Sequence, residues 1–427
     1  MATQVSAPRG MRDFLPADKG KRERVLGLIR STYAAHGFDE IETPVVEDFG
    51  RLHAGLGGDN EKLAFNVMKR GLDKAALEQA ARDDDPDQLA DLGLRFDLTV
   101  PLARFYATHR AALPQVFRAV QIAPVWRAER PQKGRYRQFV QCDIDIIGEP
   151  GILAEVELLT ATLATLQTLG LEGCRIRIND RRVLFGMLEA FGFDEAEHAS
   201  VLITIDKLDK VGEAGVIDEL TAKGATEGAV AALAAFFEAN TANASNEGAE
   251  TPLPEGAAQE AREDLARIEQ TLRATGVEGE LVFDPFLVRG MGYYTGTIFE
   301  IEHPDFSFSL GGGGRYDGMI GRFLGEDVPA CGFSIGFERI IDLIADPAAG
   351  EGTSLVLVHD KGDDPERLLR FKRDLVGRGH RVRLERRTKN LAPLLQRAED
   401  AGFHGFALLT RGTETVDDLE IKQFHQE

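Results

Sequence analysis

The residues 125–148, VWRAERPQKGRYRQFVQCDIDIIG, set polar side chains where a purely structural strand would carry apolar ones. Counted with a strand's period of two, Tyr136, Gln138, Val140, Cys142, Ile144 and Ile146 share one face, most of them apolar. Arg137, Phe139, Gln141, Asp143 and Asp145 share the other. A preceding strand, expected over 118–129, places Arg127 and Glu129 side by side, and a hairpin through 131–134 lays the two charged rows together. A sheet face of arginines, carboxylates and an amide is costly unless those groups are solvated or bound. A solvated amphipathic hairpin would meet that need. Phe139 in the middle of the polar row argues instead for a bound, charged partner.

A second constellation is RGMGYYTGTIFE at 289–300, where Arg289 stands beside the adjacent Tyr293 and Tyr294. Gly292 and Gly296 let backbone approach a ligand closely there. Buried phenols usually pack in a core with the hydroxyl bonded, and beside an arginine they could equally line a polar pocket. A strand would turn only one tyrosine into such a pocket unless Gly292 introduced a bulge. Arg339 follows Gly336 at a strand-to-helix turn, near a helix start that disfavours cations, which hints at a task elsewhere. The glycines 311–314 lack the Lys-Ser/Thr of a phosphate loop and read better as a tight approach of strands. No HExxH-like spacing and no GxSxG elbow occurs, so neither a dedicated metal site nor a serine nucleophile is expected.

These residues need elements to hold them. Apolar spacing predicts a helix over 18–36, a strand over 40–46 whose Pro44 places it at an edge or interface, a second helix from Pro101, and a long helix over 152–169 closed by Gly170. Residues 175–275 are helical, alanine-rich and acidic, with a soft segment at 240–254, and read as an insertion. Strand patterns return at 281–301. From Ser354, apolar strands alternate with helical stretches, which predicts a small α/β domain with a mainly parallel sheet. The expected boundaries are 1–174, 175–275, 276–348 and 352–427, the last ending soon after Lys422, short of an expected final strand or helix.

At 427 residues there is length for two or three domains. The N-terminus lacks an apolar signal core, no run is long enough for a membrane span, and three scattered cysteines exclude a disulfide framework. A cytoplasmic location is the expectation. The formal net charge of −20 argues against nonspecific nucleic-acid binding by the whole surface. Residues 367–389 nevertheless carry ten Lys/Arg against Asp374 and Glu385, a local basic patch.

Together the segments resemble the class II aminoacyl-tRNA synthetases. FRAVQIAPVWRAERPQKGRYRQF (117–139) resembles their motif 2, GFDEIETPVVE (37–47) their motif 1 and GFSIGFER (332–339) their motif 3. LVRGMGYYTGTIFE (287–300) is similar to the histidine-specific signature of the histidyl-tRNA synthetases. LGLRFDLTVPLARF (92–105) and SLGGGGRYDGMIGRF (309–323) match that family too, and the likeness runs from RGMRDFLP (9–16) to LEIKQF (419–424).

The resemblance implies an α+β catalytic domain with an antiparallel sheet flanked by helices, a helical insertion domain, a small C-terminal anticodon-binding-like domain, and a homodimer formed through motif 1. It implies a ligase that activates histidine with ATP, aided by Mg2+, and charges histidine tRNA, with no membrane partner. By the same resemblance Arg127 and Arg289 are catalytic, and Glu129, Arg135, Phe139 and Arg339 join Arg127 in binding ATP. Asp97, Thr99, Gln141, Asp145, Tyr293 and Tyr294 bind histidine. Gly292 stands where the signature commonly carries Asp, and Asp97 and Asp145 stand where Glu is frequent. Two other readings share the fold: the non-catalytic, histidine-sensing regulatory subunit of ATP phosphoribosyltransferase, and a synthetase-like RNA-binding protein. Paralogues of the first kind usually lose the charges that Arg127, Glu129 and Arg289 preserve here.

Overall fold

A computed structural model of the chain describes residues 5–53, 63–131, 134–244, 253–254, 258–277, 279–289, 292–306, 308–344 and 354–424. Part of the hairpin tip (132–133), most of the soft segment (245–252) and Gly290 with Met291 of the tyrosine signature lie outside the described residues. The chain divides into two compact units, Met1–Arg12 with Leu26–Ala345, and Asp13–Val25 with Asp346–Glu427.

In chain order, the strands of the first unit are β1 (Asp39–Glu40), β2 (Val46–Asp48), β3 (Phe65–Met68), β4 (Ala90–Leu94), β5 (Phe117–Trp126), β6 (Gln138–Ile147), β7 (Arg175–Asp180), β8 (Glu280–Phe283), β9 (Thr297–Glu302), β10 (Gly311–Arg315) and β11 (Ala330–Gly336). Eight of them form one sheet in the order β1-β5-β6-β11-β10-β9-β7-β8. Its six central strands are antiparallel to their neighbours, while β1 and β8 join the edges in parallel. The expected strand over 40–46 is split: Pro44 separates β1 from β2, which pairs with β4 in a small second sheet, β2-β4-β3.

On the face of the main sheet that carries Cys142, Ile144 and Ile146, all fully buried, the helix Leu153–Thr168 packs against β6 and β11. The helix Gln259–Thr275 packs in turn on that helix and on β7. Residues 175–180 are therefore a sheet strand rather than the start of the insertion, because their alternating Ile176 and Ile178 are core side chains. The insertion's helices Arg181–Phe191, His198–Ile205, Leu208–Ala222 and Glu227–Ala244 follow β7.

The second unit holds β12 (Ser354–His359), β13 (Arg381–Arg386), β14 (Gly405–Leu408) and β15 (Ile421–Gln423) in the order β13-β12-β14-β15. The first three are parallel, as the alternation of strand and helix requires. Leu355 and Leu357 pack to one side with Phe371 of the helix Pro365–Gly377, and Val356 and Val358 to the other with Leu394 of the helix Ala392–Asp400. A final strand does form: β15 adds antiparallel to β14, where the sequence led us to expect the sheet to stop short. No described helix is long and apolar enough to cross a membrane.

Candidate active site

A cleft of about 760 Å³ opens over β6, β11 and β10. It is floored by glycine because nothing larger fits: a Cβ on Gly312 would lie 2.7 Å from Arg289 Cζ, and one on Gly332 would lie 2.0 Å from Asp145 Oδ1. The glycine run is thus a strand stripped of side chains to make room, as its sequence suggested.

β5 ends at Trp126, sooner than expected, so Arg127 and Glu129 stand in the loop beyond the sheet. Arg127 is still fixed there. Its N–H bonds the Arg137 carbonyl at 2.9 Å, its Nε donates to the Phe96 carbonyl at 3.0 Å, and its guanidinium lies 5.0 Å from the Phe139 ring centre. Glu129 and Arg135 face each other across the loop at 3.5 Å, both substantially exposed. Arg339 enters from the short helix Phe337–Ile340 and donates to the Ser309 carbonyl. Burial, then Arg135, Arg289 and Arg127, push the Arg339 guanidinium down to about 10. An arginine destabilised by burial and by three neighbouring arginines is the mark of a site awaiting an anion.

The other end of the cleft is acidic and dry. Asp97, Asp143 and Asp145 are all buried. Burial pushes Asp97 up to about 6, opposed by the Val100 amide and then Arg127. Burial likewise carries Asp145 to about 7, against the Tyr316 hydroxyl that donates to its Oδ1 at 2.6 Å. Asp143 is raised well above the usual carboxylate range by burial and then by Asp145. Tyr293 and Tyr294 both line the cleft, with ring centres 4.8 Å apart. The strand argument allowed only one of them, but residues 292–296 are turn rather than strand, so alternation does not apply. Thr99, at the start of the helix Thr99–His109, is a side-chain partner of the Tyr293 hydroxyl.

Three buried polar atoms of the cleft have no hydrogen-bond partner among the described residues: Asp97 Oδ2, Gln141 Oε1 and Arg289 Nε. Two are acceptors and one is a cationic donor. Such orphans are costly in an empty site and ask for a ligand with a donor at one end and an anion at the other.

The family model for histidyl-tRNA synthetase matches residues 10–340. The histidine–tRNA ligase of Leifsonia xyli subsp. xyli is 58% identical over 428 residues, covering 99% of this chain and 99% of that protein. The chain belongs to the histidyl-tRNA synthetase family. A probable histidine–tRNA ligase of Tropheryma whipplei (strain Twist) is 45% identical over 420 residues, covering 95% of this chain and 96% of its own. Among solved structures, the histidyl-tRNA synthetase of Nostoc sp. PCC 7120 superposes with a TM-score of 0.73 at 26% identity, covering 95% of this chain and 91% of that one. A Bacillus halodurans protein described as an ATP phosphoribosyltransferase regulatory subunit/histidyl-tRNA synthetase gives 0.72 at 20% identity, over 96% of this chain and 100% of that one, a likeness of fold alone.

All twelve family-implied side chains reach the cleft. Four further contributors were in quoted segments but carried no assignment. Glu300 anchors Arg289 at 2.6 Å. Burial works against the Arg289 charge, yet Glu300, Tyr294 and Asp206 hold its pKa above its ordinary value. Tyr316 anchors Asp145, while Asp143 and Ser334 flank Gln141. Asp143 alone had a sequence signal, its place in the polar row.

Proposed function

We infer that the chain is a histidine–tRNA ligase, an enzyme that makes histidyl-adenylate and pyrophosphate from histidine and ATP, then passes the histidyl group to the 3′ end of histidine tRNA. The observation that carries this is a single cleft with mutually repelling arginines at one end and buried acids and phenols at the other. In the first step a histidine carboxylate oxygen attacks the α-phosphorus, the bond to the β-phosphate breaks, and pyrophosphate leaves. Two anions must meet, so the site has to hold the line of attack and absorb charge. Arg127 and Arg289 are suited to that task, and Arg289 Nε has no partner among the described residues, which leaves it free to bond the carboxylate or α-phosphate.

Phe139 and Arg339 would stack on adenine, Glu129 would meet its edge, and Arg135 would reach the outer phosphates. At the dry end Asp145 and the two tyrosines would engage the imidazole nitrogens, which leaves any side chain without them facing unpaired buried groups. Asp97 Oδ2 and Gln141 Oε1, both acceptors, suit the α-ammonium group, with Thr99 beside them. In the second step the terminal ribose oxygen attacks the histidyl carbonyl, AMP leaves, and the hydroxyl proton passes to a phosphate oxygen.

The described residues hold no cluster of three His, Cys, Asp or Glu side chains spaced for a metal. Glu300 is committed to Arg289, and the three aspartates lie at the opposite, desolvated end. Magnesium would enter on the ATP phosphates. We further propose a homodimer through residues 37–47, anticodon contact by the basic stretch 367–389, acceptor-stem contact by the insertion, and a cytoplasmic location.

Histidine-dependent exchange of pyrophosphate into ATP, followed by charging of histidine tRNA, tests the reading. Both should be present. Folded protein without exchange would overturn it in favour of the sensing paralogue, and exchange without charging would place the defect in tRNA binding.

A further inference from the structure

Asp143 sits between Gln141 and Asp145 on the cleft side of β6, and Ser334 stands opposite it on β11. Gln141 Nε2 donates to Ser334 Oγ at 3.1 Å and lies 3.4 Å from both Asp143 oxygens. The Ser334 hydroxyl is in turn a side-chain partner of the Asp143 carboxyl. A hydroxyl has one hydrogen. Once Ser334 gives it to Asp143, Oγ can only accept, so Gln141 must present an N–H to it. The ring of contacts keeps its direction with Asp143 ionised, because a carboxylate can only accept, whereas a protonated Asp143 could donate to the amide oxygen. The Gln141 carbonyl oxygen is then turned away from Asp143 and Ser334; it is buried without a partner among the described residues, in a residue that lines the cleft. Reversed against an ionised Asp143, the amide would set its oxygen against both carboxylate oxygens and would aim two donors at an incoming ammonium.

We propose that Asp143 and Ser334 are positioning residues that lock the Gln141 amide with its oxygen toward the α-ammonium group of the amino-acid substrate. This rests on the histidine-site reading above, and it makes Gln141 a reader of the ammonium rather than of the carboxylate. The lock acts before substrate arrives. It distinguishes ligands that carry an ammonium from those that do not, whatever their ring.

The test uses the full-length enzyme and three ligands: histidine in pyrophosphate exchange, with histidinol (ammonium, no carboxylate) and imidazolepropionate (carboxylate, no ammonium) as competitive inhibitors. Gln141→Ala comes first. If it leaves histidine KM unchanged, the site reading itself fails and the lock with it. If it raises KM, Ser334→Ala and Asp143→Ala should weaken histidine and histidinol by roughly tenfold while imidazolepropionate shifts less than about twofold. Neither should add further loss in the Gln141→Ala background, since residues acting through one group are not additive. Ser334→Thr, which keeps the hydroxyl, should restore histidine binding. Equal weakening of all three ligands, or a full extra loss in the Gln141→Ala background, would refute the lock while leaving the site reading intact. Should Asp143→Ala not fold, Ser334→Ala and Ser334→Thr decide alone.

Discussion

The two ends of the β5–β6 hairpin solve different problems with the same strand pair. Deep in the sheet, Gln141, Asp143 and Asp145 are held from β11 and from Tyr316 and are buried. At the tip, Glu129 and Arg135 are half in solvent and touch each other only loosely. A desolvated acid pocket presets its geometry and draws specificity from what a wrong ligand would leave unpaired. An open arginine loop supplies positive charge that a flexible, highly charged ligand can gather around itself, at the cost of screening by water and salt. The contrast teaches that selection of the amino acid is built into the fold, whereas the nucleotide end is completed on binding.

Mutations should respect that division. Arg289, tied to Glu300 and proposed to reach both substrates, belongs to neither end alone. Arg289→Ala should lower exchange by about three orders of magnitude, the scale of losing a charge that stabilises the transition state. Thermal melting should show the protein still folded, and near-normal exchange would remove Arg289 from the reaction. Asp145→Ala should cost about two orders in kcat/KM for histidine with ATP KM nearly unchanged, because a buried specificity group is lost. A matching loss in ATP KM would erase the distinction between the ends. Arg135→Ala should raise ATP KM only about threefold to tenfold, with a stronger salt dependence than any pocket variant.

The smallest effect is on pH. Asp97 must be ionised to receive an ammonium, and burial sets its pKa at about 6 in the empty enzyme. Histidine affinity should therefore fall as pH drops through that value and be fully present above it. Free histidine titrates nearby, so Asp97→Asn is the control. It should weaken binding at neutral pH and flatten the enzyme's share of the profile, leaving only the ligand's own titration. An unchanged profile in that variant would remove Asp97 from the ammonium site.

Much of this was legible in the chain. Period-two counting put Phe139, Gln141, Asp143 and Asp145 on one face of β6, where the cleft lies. The glycine run announced a close approach of strands, and β10 provides it. What counting could not supply was which strand lies beside β6. Ser334 meets Asp143, and Gly332 makes way for Asp145, only because β11 pairs there from nearly two hundred residues away. Tyr316 escaped for the same reason, since its partner Asp145 is distant in sequence, whereas Glu300 lies only eleven residues from Arg289 and was missed because a turn separates the two. The tyrosine pair was misjudged locally: a strand period was applied to residues that turn. The helical reading of 175–180 missed β7, which is paired between β9 and β8.

The most direct test is titration of histidine into the enzyme without ATP, followed by calorimetry. A preset pocket predicts saturable, one-site binding of histidine alone, weakened by Asp145→Ala and indifferent to Arg135→Ala. Histidine that binds only after ATP, or that Arg135→Ala weakens as much as Asp145→Ala does, would contradict a pocket built in advance.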